Sequence, residues 1–211
     1  MSNNHCKKTV TLLSKLVLAS NNASKFREFD EILSIHGIYI IPQSKLGVPQ
    51  VNESFSTFIE NALEKARQAA KYTGLPAIAD DSGLCVRALY GAPGIYSARY
   101  AERENSGKIN ITNSKYLIDK LKDIDDRFAY YYCVLVLMRY ADDPEPLITE
   151  GRWNGEIIDQ PRGTNGFDYD PYFYLPSLNR TVAELDPAIK NNLSHRALAL
   201  KSLLSRLLEE I

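Results

Sequence analysis

Two adjacent acids, Asp80 and Asp81, carry the first chemical argument in this sequence. They follow a short apolar run, Ala77-Ile78-Ala79, which reads as the end of a buried strand, with Ser82 and Gly83 as the turn after it. Open α/β sheets bind ligands at the carboxyl ends of their strands. Carboxylates there are hard oxygen donors, suited to a Mg²⁺ ion that also holds phosphates. Adjacent residues on an extended chain point opposite ways, so one Asp can face a ligand while the other faces inward or caps a turn. An ordinary acidic turn would use the same residues. Gly91-Ala92-Pro93-Gly94 forms a second rigid turn, and Arg99 lies close behind it.

A second candidate is the run Ser20-Asn21-Asn22-Ala23-Ser24-Lys25. Helix N-termini present unpaired N–H groups and partial positive charge, which favours anions. Ser and Asn can cap such a helix or bond phosphate oxygens, and Lys25 adds a point charge. The run lacks the glycines and the Lys-Ser/Thr pair of a Walker A loop, and a plain N-cap reads equally well. Further along, Gly166-Phe167-Asp168-Tyr169-Asp170-Pro171 sets an aromatic among acids. It reads either as a base-stacking loop or as an ordinary loop around a buried Phe. Ser194 is a candidate N-cap that would set His195 and Arg196 in the first turn of the last helix. Cations there oppose the helix dipole, which points to a ligand role.

The elements that must position these groups are legible from periodicity. Lys15 to Ala19 reads as a buried strand, and Phe26, Phe29, Ile32 and Leu33 recur at helical spacing through about Ser34. Tyr39 to Ile41 is a short strand. Pro42 to Thr57 is a polar loop carrying Glu53, long enough to be functional. Phe58 to Tyr72 is an amphipathic helix with Ile59, Ala62, Leu63, Ala66, Ala69 and Ala70 on one face, and Asn61 and Lys65 one turn apart on another. Gly107 to Lys122 suggests a further helix. Phe128 to Tyr140 and Leu147 to Ile158 form a long hairpin, buried on both faces or used as a subunit contact, whose tyrosines read as core. Thr181 to Glu184 fits a capping box. Residues 1–14 read as a flexible polar arm and 15–211 as a single domain.

The chain has 211 residues, is 45% hydrophobic and 24% charged, and carries a formal net charge of −1. That is an ordinary globular composition. With no basic excess, binding to a nucleic-acid backbone is not expected. Three cysteines without a CxxC pair argue against a disulfide framework or a zinc site and for a reducing compartment, read as cytoplasmic. Cys85 and Cys133 read as small core hydrophobes. The apolar run after Lys7 and Lys8 breaks at Ser14-Lys15, too short for a secretory signal, and no run is long enough to span a membrane.

DDSGL followed by GAPGIYSARYA closely resembles the inosine triphosphate pyrophosphatase family, as do ESFSTFIENALEKA and SHRALAL. Five motifs in the family's order cover about residues 16–208. The resemblance implies an α/β fold with an elongated, twisted, mixed sheet flanked by helices, and two lobes with a central cleft for the nucleotide. It implies Mg²⁺-dependent hydrolysis of ITP, dITP and XTP to monophosphate and pyrophosphate, usually by a homodimer. It places Mg²⁺ on Glu53 and Asp81, with Asp81 as proton acceptor and Asp80 as the alternative. Ser20, Asn21, Asn22, Ala23, Ser24, Lys25 and Ser82 fall at substrate-binding positions, and Lys65 where a lysine faces the phosphates. Phe167 falls where the purine is stacked, beside Asp168, Tyr169 and Asp170. Lys190, His195 and Arg196 fall where its edge is read. Two departures stand out: Ser20-Asn21 replaces Thr-Gly, and Asp168 replaces a glycine. The latter keeps a different base preference open, and a non-catalytic nucleotide sensor is the other rival.

Overall fold

The computed structural model describes residues 13–104, 112–166 and 168–209. Among these, seven strands form one sheet: β1 (Lys15–Leu18), β2 (Tyr39–Pro42), β3 (Ala77–Val86), β4 (Phe128–Met138), β5 (Leu147–Ile157), β6 (Phe173–Leu175) and β7 (Arg180–Thr181). Their order is β2-β1-β3-β4-β5-β6-β7. The sheet is mixed and open, and helices flank it, as expected of the α/β class. β1 runs parallel to β2 and β3, whereas β6 is antiparallel to β5 and β7. The chain divides into two compact units: Met1–Asp81, Cys133–Gly151 and Arg196–Ile211 form the first, and Ser82–Tyr132 with Arg152–His195 the second.

In the first unit, helix α1 (Ala23–Leu33) follows β1. Its apolar spacing buries Phe29 and Leu33 completely, and the Asn22 side chain caps it by accepting from the N–H groups of Ser24 and Lys25. Helix α2 (Phe58–Thr73) is capped by Thr57, which accepts from the Glu60 N–H, and ends at Gly74 in the left-handed region, φ 66°. Its buried stripe is made of small residues, Ala62, Ala66, Ala69 and Ala70. Ile59, expected on that stripe, is 41% exposed. It shares the angular position of Ala66 but lies two turns nearer the helix start, beyond the covered part of the face. Leu16, Leu18, Phe29, Leu33, Ile78, Leu135, Leu137 and, from the last helix, Leu200, Leu203, Leu204 and Leu207 pack as one core. Leu13, read from sequence as part of the arm, belongs to that core, and residues 1–12 lie outside the described residues.

The second unit contains helices α3 (Tyr100–Glu104), α4 (Asn113–Leu121) and α5 (Pro187–Leu193). Leu84, Val86, Leu117, Leu121, Ile157, Tyr169, Phe173 and Leu175 form its core. The helix expected from Gly107 is described from Asn113 onward; residues 105–111 lie outside the described residues. The capping box is present: Glu184 accepts from the Thr181 N–H at 2.7 Å. The last helix, α6 (His195–Glu209), starts where expected.

Two strand expectations are corrected. Asp80 and Asp81 do not end β3; the strand runs through them to Val86. Gly83 is not a turn residue: a Cβ there would stand 2.2 Å from the Gly94 carbonyl oxygen and 2.6 Å from Ser97 Oγ. The glycine admits a close backbone approach within a continuous strand. The hairpin is also not buried on both faces throughout. β4 is covered on both faces only from Cys133 to Met138, while β5 alternates, exposing Glu150, Arg152, Asn154 and Glu156. That period of two is the signature of one covered face. Cys85 and Cys133 are buried free thiols, as expected.

Candidate active site

The alternation of β3 sends its two acids to different partners. Asp80, 1% exposed, meets α1 and α6: Lys25 Nζ lies 2.9 Å from its Oδ2, and Arg196 Nη2 3.1 Å from the same oxygen. Arg196 also donates to Glu28 of α1. Asp81, 6% exposed, meets α2: Lys65 Nζ is 3.0 Å from Oδ1 and Asn61 Nδ2 3.2 Å from Oδ2. Asn61 and Lys65 reach one carboxylate because they are four residues apart on a helix. Lys65 also donates to Glu53 Oε1 at 2.9 Å. Asn61 holds the Glu53 loop by accepting from the Phe55 N–H and donating to the Phe55 carbonyl.

The electrostatics separate the two acids. Burial favours a neutral Asp80, but the nearby Lys25, Arg196 and Lys65 outweigh it and hold the carboxyl far below the usual range. At Asp81 burial wins over Lys65 and raises the pKa, with Glu53 adding to the rise. Burial alone would lower the Lys65 pKa, yet the fields of Asp81, Asp80 and Glu53 reverse it and keep the ammonium charged. Asp80 is therefore a fixed counter-ion, while Asp81 is a carboxylate with raised proton affinity beside a cation.

The Ser20–Lys25 run is the N-terminus of α1. Ser20 Oγ accepts from the Asn22 N–H at 3.2 Å, and Asn22 Oδ1 accepts from Ser24 and Lys25 at 2.9 and 3.1 Å. The capping role is thus filled by Asn22, and the Lys25 side chain turns to Asp80. Asn21, Asn22 and Ala23 are exposed.

A second group forms within the second unit. Asp170, 3% exposed, accepts from Lys190 Nζ at 2.9 Å and from the Tyr131 hydroxyl at 3.0 Å. The Tyr131 ring stacks on His195, centroids 4.9 Å apart and planes 13° apart. Gly166 has φ 78°, and a Cβ there would meet Asp170 Oδ2 at 2.1 Å, so this glycine leaves room for the carboxylate. Asp168 adopts φ 52°, and its Oδ2 accepts from Asn113 Nδ2 at 3.2 Å. Asp tolerates the left-handed region better than most residues, so the loop keeps a glycine-like backbone at this position. Tyr169 donates to the Ser97 carbonyl at 2.8 Å. Phe167 lies outside the described residues. Ser82 is half-buried on β3.

Lys190, Asp170 and His195 are thus brought together, and Arg196 is not among them. Consecutive helical residues diverge by about 100°, so Arg196 turns into the Asp80 cluster. Sequence reasoning missed Glu28, Asn113 and Tyr131. Glu28 sits one turn after Lys25, a spacing that could have paired them. Tyr131 lay hidden in a run of tyrosines read as core.

The sequence profile of the Ham1 family matches residues 16–206. The chain is 62% identical to the dITP/XTP pyrophosphatase of Burkholderia pseudomallei over 92% of this chain and 93% of that one. It is 53% identical to the dITP/XTP pyrophosphatase of Ralstonia nicotianae, over 92% and 97%. Among solved structures, a Ham1 protein from Coxiella burnetii superposes with TM-score 0.84 at 50% identity, over 92% of this chain and 98% of that one. The Staphylococcus aureus Ham1 protein gives 0.80 at 41%, over 93% and 100%. These relatives place the chain among the hydrolases that act on phosphoric anhydrides. Within that class, the chain belongs to the Ham1 family.

Proposed function

We propose that this enzyme hydrolyses the non-standard purine nucleoside triphosphates ITP, dITP and XTP to the monophosphate and pyrophosphate, removing them before they enter DNA or RNA. The names of its relatives support the substrate class. The observation that carries the chemistry is the convergence of Asp81 and Glu53 on one cation, Lys65, next to an Asp80 already neutralised by Lys25 and Arg196.

That donor set fits Mg²⁺, which takes one or two carboxylates and completes its octahedron with water and phosphate oxygens. Among the described residues no three His, Cys, Asp or Glu side chains gather as a complete cage, so Glu53 and Asp81 would hold the ion only together with substrate and water. When bound, the ion would polarise phosphorus and offset phosphate charge. The chain's own residues do the rest. Asp81 accepts the proton of the attacking water, a role its raised proton affinity favours over Asp80. Lys65 and Lys25 offset charge on the triphosphate, together with the Ser20–Lys25 turn.

At the base, Lys190 and His195 present donors to the C6 carbonyl of hypoxanthine or xanthine. Adenine carries a donor there, and a buried polar group left unpaired costs about 1–3 kcal/mol. Several together reach roughly 10⁴-fold rejection. Guanine shares the carbonyl, so its 2-amino group must be refused by shape. We read the working unit as a homodimer, on the family resemblance alone.

The test is turnover of ITP, dITP, XTP, GTP and ATP with Mg²⁺, scoring pyrophosphate separately from orthophosphate. Pyrophosphate from the first three, with ATP and GTP nearly inert, is expected. Orthophosphate release, or no turnover of any of them, overturns the reading.

A further inference from the structure

We propose that Tyr131 is a positioning residue for purine recognition, its ring holding the His195 imidazole and its hydroxyl holding the Asp170 carboxylate that anchors Lys190. The proposal rests on the reading above that Lys190 and His195 contact the base.

Three contacts within the second unit carry it. The ring lies nearly parallel to His195, at 13° and 4.9 Å. Stacking on one face of an imidazole fixes its plane, and with it the directions in which the ring nitrogens point. Behind Tyr131, Phe173 packs at 4.6 Å with a 45° tilt, so the tyrosine is itself held from the core side. The hydroxyl donates to Asp170 Oδ1 at 3.0 Å while Lys190 takes Oδ2 at 2.9 Å. With a donor on each oxygen the carboxylate cannot rotate, and the ammonium it binds acquires a fixed place. Burial, together with Asp170, keeps the phenol far above its ordinary pKa, so the hydroxyl acts as a proton-bearing donor.

A purely structural role predicts otherwise. A phenylalanine would fill the same space and keep the stack, so the change isolates the bond from the hydroxyl to Asp170. The ring and the hydroxyl can therefore be tested apart. Tyr131→Phe removes one hydrogen bond to a charged group, an effect of about ten-fold. It should raise KM for ITP about ten-fold with kcat within two-fold, leave kcat/KM for ATP unchanged and lower the melting temperature by only a few degrees. Tyr131→Leu also removes the stack and should reduce the ITP-to-ATP preference by a further order of magnitude or so, while Phe restores part of it.

The experiment is steady-state kinetics on ITP and ATP for wild type, Tyr131→Phe, Tyr131→Leu, His195→Ala and Lys190→Met, each with a thermal melt. If His195→Ala and Lys190→Met erode the preference and Tyr131→Phe does so through KM, the proposal holds. If those two erode it and Tyr131→Phe leaves it intact or lowers kcat for both substrates alike, Tyr131 is not a positioning residue. If neither His195→Ala nor Lys190→Met moves the preference, the base-reading assignment falls and the proposal falls with it.

Discussion

The Arg196 guanidinium meets the Asp80 carboxylate through two nitrogens, Nη2 at 3.1 Å and Nε at 3.3 Å, across 116 positions of sequence. Both side chains are buried, and Glu28 takes a third nitrogen. Breaking a buried pair by removing one partner costs about 3–5 kcal/mol, because the other charge stays behind. Arg196→Ala should therefore lower the melting temperature by about 10 °C and reduce kcat/KM for every triphosphate alike. A melt and kinetics on ITP and ATP check this. A selective loss of the ITP preference with an unchanged melt would return Arg196 to base recognition.

Asp81 and Glu53 share Lys65 but differ in burial, and this separates their expected roles. Asp81 is 6% exposed, whereas the Glu53 side chain is 33% exposed on a loop. Asp81→Asn keeps an acceptor for only one of Lys65 and Asn61, turns an amide NH2 toward the other, and loses the proposed proton acceptor; it should cut kcat by about 10³-fold or more at any Mg²⁺ concentration while nucleotide binding persists. Glu53→Gln should raise the Mg²⁺ concentration for half-maximal rate about ten-fold and recover most of kcat at saturation. Mg²⁺ titrations of both variants check this. A Glu53→Gln enzyme with the wild-type Mg²⁺ dependence would remove Glu53 from the metal.

The divergence of the two acids and the pairing of Asn61 with Lys65 in the first unit are legible because they are written locally. Adjacent acids on a strand must diverge, and Asn61 and Lys65, one helical turn apart, must face the same way. What was not legible depends on distant backbone. Gly83 looked like a turn because nothing near it shows that the Gly94 carbonyl will pack 2.2 Å from its missing Cβ position. Arg196 looked like a partner of His195 because adjacency in sequence hides the angle between neighbouring helical side chains. Tyr131 is one tyrosine of three in a row, and only Asp170, 39 residues later, distinguishes it. β6 and β7 are three and two residues long and carry no periodicity.

Asp143 gives the first unit a measurable acid limit. Its carboxylate accepts from Arg139 Nε and Nη2 at 2.9 and 2.8 Å, and from the backbone N–H groups of Arg139 and Glu145. The Arg139 side chain, with burial opposing and the backbone donors adding, lowers its pKa from 3.8 to about 2. A depressed folded-state pKa contributes stability that is full above the unfolded value and is lost as pH falls through the folded one. Arg139 is 30% exposed, so screening reduces the contribution to about 1–2 kcal/mol. Asp143→Asn should lose that amount near neutral pH, and the difference from wild type should vanish between about pH 4 and 2. Urea unfolding across that range checks it; a constant difference would show that the carboxylate's charge contributes nothing.

Asp168 tests whether a charged residue in place of glycine is tolerated or used. It sits at φ 52°, a conformation that costs most side chains about 1–2 kcal/mol. Its carboxylate recovers part of that cost by accepting from Asn113, whose own amide also accepts from the Ala101 N–H and donates to the Ala98 carbonyl. Loop and helix α4 are therefore joined through one side chain. Asp168→Gly loses the bond but relieves the backbone, so its stability should stay within about 1 kcal/mol of wild type. Asp168→Ala loses the bond and keeps the strain, and should be less stable than Asp168→Gly by about 1 kcal/mol. With the link gone the loop is less restrained in both, so KM for ITP should rise a few-fold while kcat holds; Asn113→Ala, which leaves the Ser114 N–H on the Asp168 carboxylate, should move KM the same way but less. Melts and ITP kinetics on the three variants decide. If Asp168→Gly instead lowers KM, or changes the order of preference among ITP, XTP and GTP, the carboxylate acts on the base directly and not through Asn113.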